Sequence, residues 1–347
     1  MSEKRVNGEL PKGCKYCERG EKAVYFITGK CDKSCFYCPI SQKKKDNASS
    51  WINEKKIDKK EDLVEEIEKS RAKGISITGG EPLLDAEKTA KEISFLKKRF
   101  GETFHIHLYT SKAIDPDQIK KLSLAGLDEI RYHIPNLEIN RKYVNSIKES
   151  SKQFEEVGVE IPAIPGKQEE IKKIAQRVEK YIDFMNLNEL EYSENSYEKL
   201  KEKGFQPKED KRRAIKDSEK VATSLIKNEF NFTIHFCPSH FKDSVQLKRR
   251  FLRRAKNVAK EYEQITTEGT IVKGIIKTHK PKEIIQFLEQ KEVPEDLYKK
   301  MGDKIETTWI VVDELATKLK EQDEEAEIEI IEQHPTQQRL IVQKIPL

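Results

Sequence analysis

From residue 24 the chain alternates short apolar runs with longer amphipathic stretches, and this alternation predicts its architecture. Runs at Val24–Gly29, Ile75–Thr78, His105–Thr110, Glu129–His133, Glu160–Ile164 and Phe184–Leu190 read as strands. Between them the spacing predicts helices near Lys60–Lys73, Asp85–Phe100, Asp115–Ala125, Asn140–Val157 and Lys167–Tyr181. Asp115-Pro116 supplies an N-cap followed by a proline at the first helical position, and Asp58 stands before an acidic first turn. Gly74, Gly101, Gly126 and Gly158 read as stops at helix ends. Strand–helix units in series imply a parallel sheet with helices outside. Six units fall short of an eightfold barrel, so the expected fold is α/β, a partial (β/α)6 TIM-like barrel.

Past residue 193 the pattern changes. Residues 194–228 are strongly charged and read as one or two helices, followed by a strand at Asn231–Phe236 and a long helix at Phe241–Tyr262. That helix carries Lys248, Arg249, Arg250, Arg253, Arg254 and Lys256 beside an apolar stripe of Leu247, Phe251, Leu252, Ala255, Val258 and Ala259. From Thr266 the signals describe a small C-terminal α+β unit, with strands at Thr270–Ile276, Thr307–Val312, Glu327–Ile331 and Arg339–Gln343, the last two as a hairpin. The expected division is an N-terminal Cys-x2-Cys segment over 1–22, a partial barrel over 23–195, a charged helical region with one strand over 196–262, and the α+β domain over 263–347.

With 347 residues, 37% charged and 36% hydrophobic, the chain has material for a sizeable core, and no apolar run reaches the roughly 18 residues of a membrane span. The N-terminus lacks the apolar core of a signal peptide. The six cysteines sit in ligand-like spacings rather than a disulfide framework, so a cytoplasmic, reducing location without membrane attachment is expected. A net charge of +5 permits an anionic partner without requiring one.

Three of the cysteines fall within eight residues, as Cys31-x3-Cys35-x2-Cys38 directly after the first strand. Thiolates this close read as a soft-metal centre. A four-cysteine zinc site takes two Cys-x2-Cys pairs, whereas three thiolates on a cubic iron–sulfur cluster leave one iron open. Tyr37 precedes the third cysteine. The second predicted strand runs into Gly79-Gly80-Glu81-Pro82, where two glycines allow close approach to backbone groups and a carboxylate stands beside them. Both motifs fall at the C-terminal ends of strands, the rim on which such sheets bind ligands.

Together these motifs resemble the radical S-adenosylmethionine (SAM) superfamily, and in the first motif region the uncharacterised relatives of pyruvate formate-lyase activating enzyme. The resemblance implies that Cys31, Cys35 and Cys38 hold a [4Fe–4S] cluster. It also implies that SAM chelates the open iron, that Gly79, Gly80 and Glu81 receive its amino group, and that Tyr37 lies against its adenine. The reaction implied is reductive cleavage of SAM to a 5′-deoxyadenosyl radical that takes hydrogen from a substrate, with a reductant such as ferredoxin or flavodoxin as partner.

Other residues are nominated by strand alternation. His105, His107 and Tyr109 share one face of the third strand. Arg131 and His133 share a face of the fourth, near SAM or substrate, unless Arg131 pairs with Asp128 or Glu129. Asn188 interrupts an apolar strand and is a further candidate for cofactor or substrate contact. The remaining thiols, Cys14, Cys17 and Cys237, with His235 on the same strand face as Cys237, make a second candidate metal site for zinc or a second iron–sulfur cluster, with His240 nearby. For substrate, a peptide or protein (activase-like) stands against tRNA, for which the basic helix would supply the phosphate-binding face.

Overall fold

The computed structural model describes residues 5–209 and 211–347. These form two compact units, one made of the chain up to Ile67 with Ala72–Leu247, the other of Glu68–Arg71 with Lys248–Leu347.

The first unit is built on a nine-stranded sheet. Its parallel strands are β1 (Lys22–Thr28), β4 (Gly74–Gly79), β5 (His105–Thr110), β6 (Glu129–Tyr132), β7 (Glu156–Ala163), β8 (Phe184–Glu189) and β11 (Thr233–Cys237), in that spatial order. Beyond β1 the sheet continues through the antiparallel pair β2 (Ser50–Ile52) and β3 (Lys55–Ile57). The helices α2 (Lys60–Lys69), α3 (Ala86–Phe100), α4 (Pro116–Leu124), α5 (Arg141–Ser150) and α6 (Gln168–Val178) alternate with the strands. Ile75, Ile77, Ile106, Leu108, Ile130, Val159, Ile161 and Leu187 are buried in the sheet, and Ile67, Ile93, Leu96, Ile119, Ile147 and Ile174 pack from the helices. These strand residues stand at alternate positions and pack against the helices.

The parallel strands number seven, not six, because β11, expected in a separate charged region, pairs in register with β8. The sheet is open: its end strands β11 and β3 do not pair with each other. An N-terminal segment lies along the β11 edge: Val6 forms an antiparallel bridge with His235, and Asn7 N–H donates to the Ile234 carbonyl. The helix α1 (Lys12–Glu18) then runs inward against β1, β4 and β5.

Most helix boundaries follow their local signals. Asp115 and Gln118 form a capping box, and Gly101 and Gly126 take positive φ after α3 and α4. The helix expected to reach Val157 stops at Ser150, and residues 156–163 are strand. Gly158 is therefore no helix stop; a Cβ there would lie 2.2 Å from the Phe184 ring, so the residue makes room across β7 and β8. The long helix expected over 241–262 is three pieces, α9 (Ser239–Phe241), a π-helical stretch over 242–247, and α10 (Lys248–Val258).

The second unit is an antiparallel sheet in the order β14 (Tyr298–Met301), β15 (Lys304–Thr307), β13 (Ile271–Lys277), β16 (Glu327–Gln333), β17 (Ile341–Pro346), with β12 (Gln264–Ile265) beside β13. The helices α11 (Pro281–Gln290) and α12 (Trp309–Gln322) pack their apolar faces on it through Ile284, Phe287, Leu288, Val312 and Leu319. The predicted hairpin is present as β16–β17. The run expected as a strand at Thr307–Val312 instead opens α12, because Thr308 caps the helix through its hydroxyl to Ile310 N–H.

Candidate active site

The loop after β1 carries Cys31, Cys35 and Cys38, each partly exposed, whereas Cys14 and Cys237 are buried. All six cysteines are free. Two backbone bonds tie the start of this loop to the end of β4: Gly80 N–H donates to the Thr28 carbonyl at 2.7 Å and Glu81 N–H to the Lys30 carbonyl at 2.8 Å. The approach is close enough to require glycine. A Cβ at Gly79 would stand 2.3 Å from the Thr28 carbonyl oxygen, and one at Gly80 would stand 2.2 Å from that of Lys30. Gly79 also has φ of +149°. The two motifs, nearly fifty residues apart in sequence, are thus one structural feature.

Glu81 turns its carboxylate inward. Oε1 accepts from Leu83 N–H at 2.9 Å and from the Thr110 hydroxyl at 2.8 Å; Oε2 accepts from Ser111 N–H and Oγ, both at 2.6 Å. The residue is fully buried. Its side chain locks the turn of residues 82–85 to the end of β5, which leaves the backbone of residues 79–80 beside the cysteine loop.

Tyr37 is buried against His133, with its hydroxyl 3.0 Å from Nε2. His133 Nδ1 lies 3.2 Å from the Glu160 carbonyl, which can only accept. Nδ1 therefore carries the proton, Nε2 accepts, and the Tyr37 hydroxyl donates. Burial holds the His133 pKa below its usual value, in keeping with a neutral ring. Cys35 Sγ stands 3.9 Å from the same Nε2. Partial burial pushes the thiols of Cys31 and Cys35 upward, because it disfavours the charged thiolate.

Among the parallel strands lies a buried polar cluster. Arg131 NH1 donates to Glu160 Oε2 at 2.7 Å and to the Tyr109 hydroxyl at 3.1 Å, and Arg131 also pairs with Glu129. Of the two pairings expected for Arg131, with Asp128 or Glu129, the one with Glu129 forms; Asp128 is taken by Lys97 at 2.8 Å, and Glu160 is an added partner. Asn186 and Asn188 each donate to Glu160 at 2.9 Å. Burial opposes ionisation of Glu160, but Arg131 and the two amides outweigh it and hold the carboxyl below the usual range. Asn188 and Arg131 therefore act on Glu160.

His105, His107 and Glu129 also converge, with ligand atoms within 4.8 Å of one another, and among the described residues they form the group of three that does so. Lys22 reaches His105 Nδ1 at 2.5 Å, and Arg131 lies on Glu129, so side chains already occupy ligand atoms of this group. Gly13 sits directly over this group; a Cβ on it would be 2.4 Å from His107 Nδ1 and 2.5 Å from Glu129 Oε2.

The helix α1 brings the second thiol set to the same cluster. Cys14 Sγ accepts from Asn186 at 3.2 Å and from Arg131 at 3.5 Å. Cys17 and Cys237 both reach the side-chain amide of Gln246, at 3.8 and 4.0 Å. His235 Nδ1 lies 3.2 Å from Asn186 Oδ1. Burial raises Cys14 to about 12 and Cys237 to about 11. Segments more than 200 residues apart thus meet, bridged by Asn186 and Gln246, yet among the described residues no three of Cys14, Cys17, His235 and Cys237 bring their ligand atoms within 4.8 Å. His240 is exposed.

A parallel α/β sheet with a three-cysteine loop after its first strand and Gly-Gly-Glu-Pro after the next defines a class. The profile of the Radical SAM superfamily matches residues 25–178, and the chain belongs to that superfamily. A curated protein of Methanocaldococcus jannaschii, named "Putative glycyl-radical enzyme activating enzyme MJ0021", is 40% identical over 354 residues, covering 98% of this chain and 93% of that protein. The chain is a radical SAM enzyme and a homologue of that protein. A domain of unknown function (DUF8061) matches residues 269–347. Among solved structures, Streptococcus suis SuiB bound to S-adenosylmethionine aligns with TM-score 0.42 and 13% identity, over 63% of this chain and 50% of that one. Methylornithine synthase (PylB) aligns with TM-score 0.42 and 13% identity, over 59% and 60%. The chain therefore spans less than two thirds of either solved chain. No helix among the described residues is long and apolar enough to cross a membrane.

The motif residues could be named from sequence; their partners could not. Thr110 and Ser111, which hold Glu81, lie at the end of a predicted strand on the expected rim, so the same rim rule would have found them. Glu160 gave no signal, because its partners come from three other strands.

Proposed function

We propose that the enzyme holds a [4Fe–4S] cluster on Cys31, Cys35 and Cys38 and acts, like an activase, on a peptide or protein. The observation that carries this reading is the backbone bonding of the cysteine loop to Gly80 and Glu81, at 2.7 and 2.8 Å. It leaves three partly exposed thiols beside a glycine-lined backbone, a donor set suited to a soft cluster with one open position. When bound, the cluster supplies the electron that cleaves SAM to methionine and a 5′-deoxyadenosyl radical able to take hydrogen from substrate.

The chain's own residues position and exclude. Gly79 and Gly80 keep Cβ atoms out of the space beside the loop. Glu81, through Thr110 and Ser111, fixes the turn that presents them. Tyr37, donating to neutral His133, sets an aromatic wall behind Cys35. Arg131 and Asn188 are proposed to support this wall through Glu160, whose carbonyl holds His133. The electron comes from an external donor such as a ferredoxin or flavodoxin.

The tRNA reading rested on the basic helix. In α10, Arg254 is buried with its guanidinium on the Pro335 carbonyl at 2.6 Å, and Lys248 pairs with Glu268 at 2.7 Å. Those charges stabilise the C-terminal unit, which removes part of the face a phosphate backbone would need.

Anaerobic reconstitution followed by iron and sulfide analysis, and 5′-deoxyadenosine measured after dithionite reduction, tests the chemistry. Comparing peptides and tRNA nucleosides from cells with and without the gene tests the substrate. An altered nucleoside with an unchanged peptide pool would overturn the peptide reading.

A further inference from the structure

A cavity of about 710 Å³ opens beside the cysteine loop, within the size range of small-ligand sites. Pro39, the residue after Cys38, forms part of its wall. Ser193, also on the wall, donates from its hydroxyl to the Cys38 carbonyl at 3.4 Å. A group bound in the cavity therefore sits next to the third cysteine. Ser239, a buried residue of its lining, gives both its N–H and its hydroxyl to Glu189, at 2.8 and 2.9 Å, so this part of the wall is satisfied by the protein itself.

The walls are unequal in charge. Four carboxylates, of Glu191, Glu194, Glu198 and Asp243, face two cations, Lys242 and Arg213. Both cations have partners: Lys242 lies 3.3 Å from Glu191 and Arg213 lies 3.8 Å from Asp243. Glu194 and Glu198 are exposed and stand in no ion pair among the described residues. Between the charges, Tyr192 and Tyr197 place their ring centroids 5.1 Å apart at 47°. Aromatic faces attract ammonium and guanidinium groups and cover their aliphatic stems.

We infer that this cavity receives a basic segment of the substrate polypeptide, with Glu194 and Glu198 as its specificity-determining residues. The inference rests on the reading of a peptide or protein substrate. An acidic or phosphorylated ligand would meet two uncompensated carboxylates at the entrance, whereas a lysine or arginine side chain finds both a counter-charge and an aromatic wall.

The test is a fluorescence-anisotropy titration of the full, cluster-reconstituted chain with labelled tetralysine and labelled tetraglutamate at physiological salt. Tetralysine should bind at least tenfold more tightly than tetraglutamate. The double variant Glu194→Gln/Glu198→Gln should lose about tenfold of its tetralysine affinity, the sum of two exposed charge contacts. Because both side chains are exposed, its unfolding midpoint should match the unmodified protein. Equal binding of the two probes, or tetralysine binding indifferent to the two glutamines, overturns the cavity inference and leaves the peptide reading standing. Binding of neither probe also overturns the cavity inference; the peptide reading stands or falls on the comparison of peptide and nucleoside pools.

Discussion

Glu81 and Ser111 are joined twice, the backbone N–H and the hydroxyl of Ser111 both reaching Oε2 of the glutamate at 2.6 Å. With Thr110 and Leu83 on the other oxygen, all four bonds need an acceptor. An amide at this position would point its NH2 at a donor on one side. Glu81→Gln should therefore destabilise the chain by about 1–3 kcal/mol, the cost of unmatched buried polar groups, and reduce SAM cleavage. Urea unfolding and a 5′-deoxyadenosine assay on the same preparation check this. An amide variant as stable as the parent would show that these bonds contribute little.

Gly80→Ala would place a Cβ 2.2 Å from the Lys30 carbonyl oxygen. Backbone must move, because neither atom belongs to a flexible side chain. We expect a folded protein destabilised by about 1–3 kcal/mol, with reduced iron content after reconstitution because the cysteine loop is displaced. Iron per chain and the visible absorbance report it. Full iron loading would mean that the loop does not depend on this contact.

Buried neutral histidines predict acid sensitivity. Burial lowers His235 from 6.5 to about 4 and His105 from 6.5 to about 2. In the unfolded chain both bind protons near pH 6.5, so between 6.5 and about 4 the unfolded state holds protons that the folded state refuses. Stability therefore falls as pH falls across that window, by about 1.4 kcal/mol per pH unit per histidine. His235→Gln should flatten the slope measured by urea unfolding at pH 4.5 to 6.5. An unchanged slope would contradict the assignment.

The second thiol set gives a separate expectation. If Cys14, Cys17, His235 and Cys237 close around a metal, a protein with Cys31, Cys35 and Cys38 all changed to Ala should retain about one zinc, or the iron of a second cluster. A folded but metal-free triple variant would contradict that proposal.

Much of the first unit was legible because its strands carry apolar residues at alternate positions and its helices carry explicit caps, as at Asp115 and Gly126. The errors are of two kinds: local signals overridden by packing at a distance, and a local signal left unread. Gly158 looks like a helix stop until Phe184, 26 residues later, fills the space above it. The run at residues 307–312 looks like a strand until its hydroxyl-bearing Thr308 is seen as a cap. β11 could not be assigned to the main sheet because nothing in its own five residues specifies β8 as a neighbour. For the site, the cysteines and glycines announced themselves by spacing, while the inward turn of Glu81 and the Tyr37–His133 bond depend on residues far apart in sequence. The basic helix misled because a sequence shows charge and not whether a guanidinium such as that of Arg254 is buried.

The central claim is that the Cys31–Cys38 loop carries the redox centre. Its most direct test is SAM cleavage by the Cys35→Ala variant, reconstituted anaerobically with iron and sulfide and reduced with dithionite. The account predicts loss of most of the brown absorbance and no 5′-deoxyadenosine above background. Continued production of 5′-deoxyadenosine by that variant would contradict it.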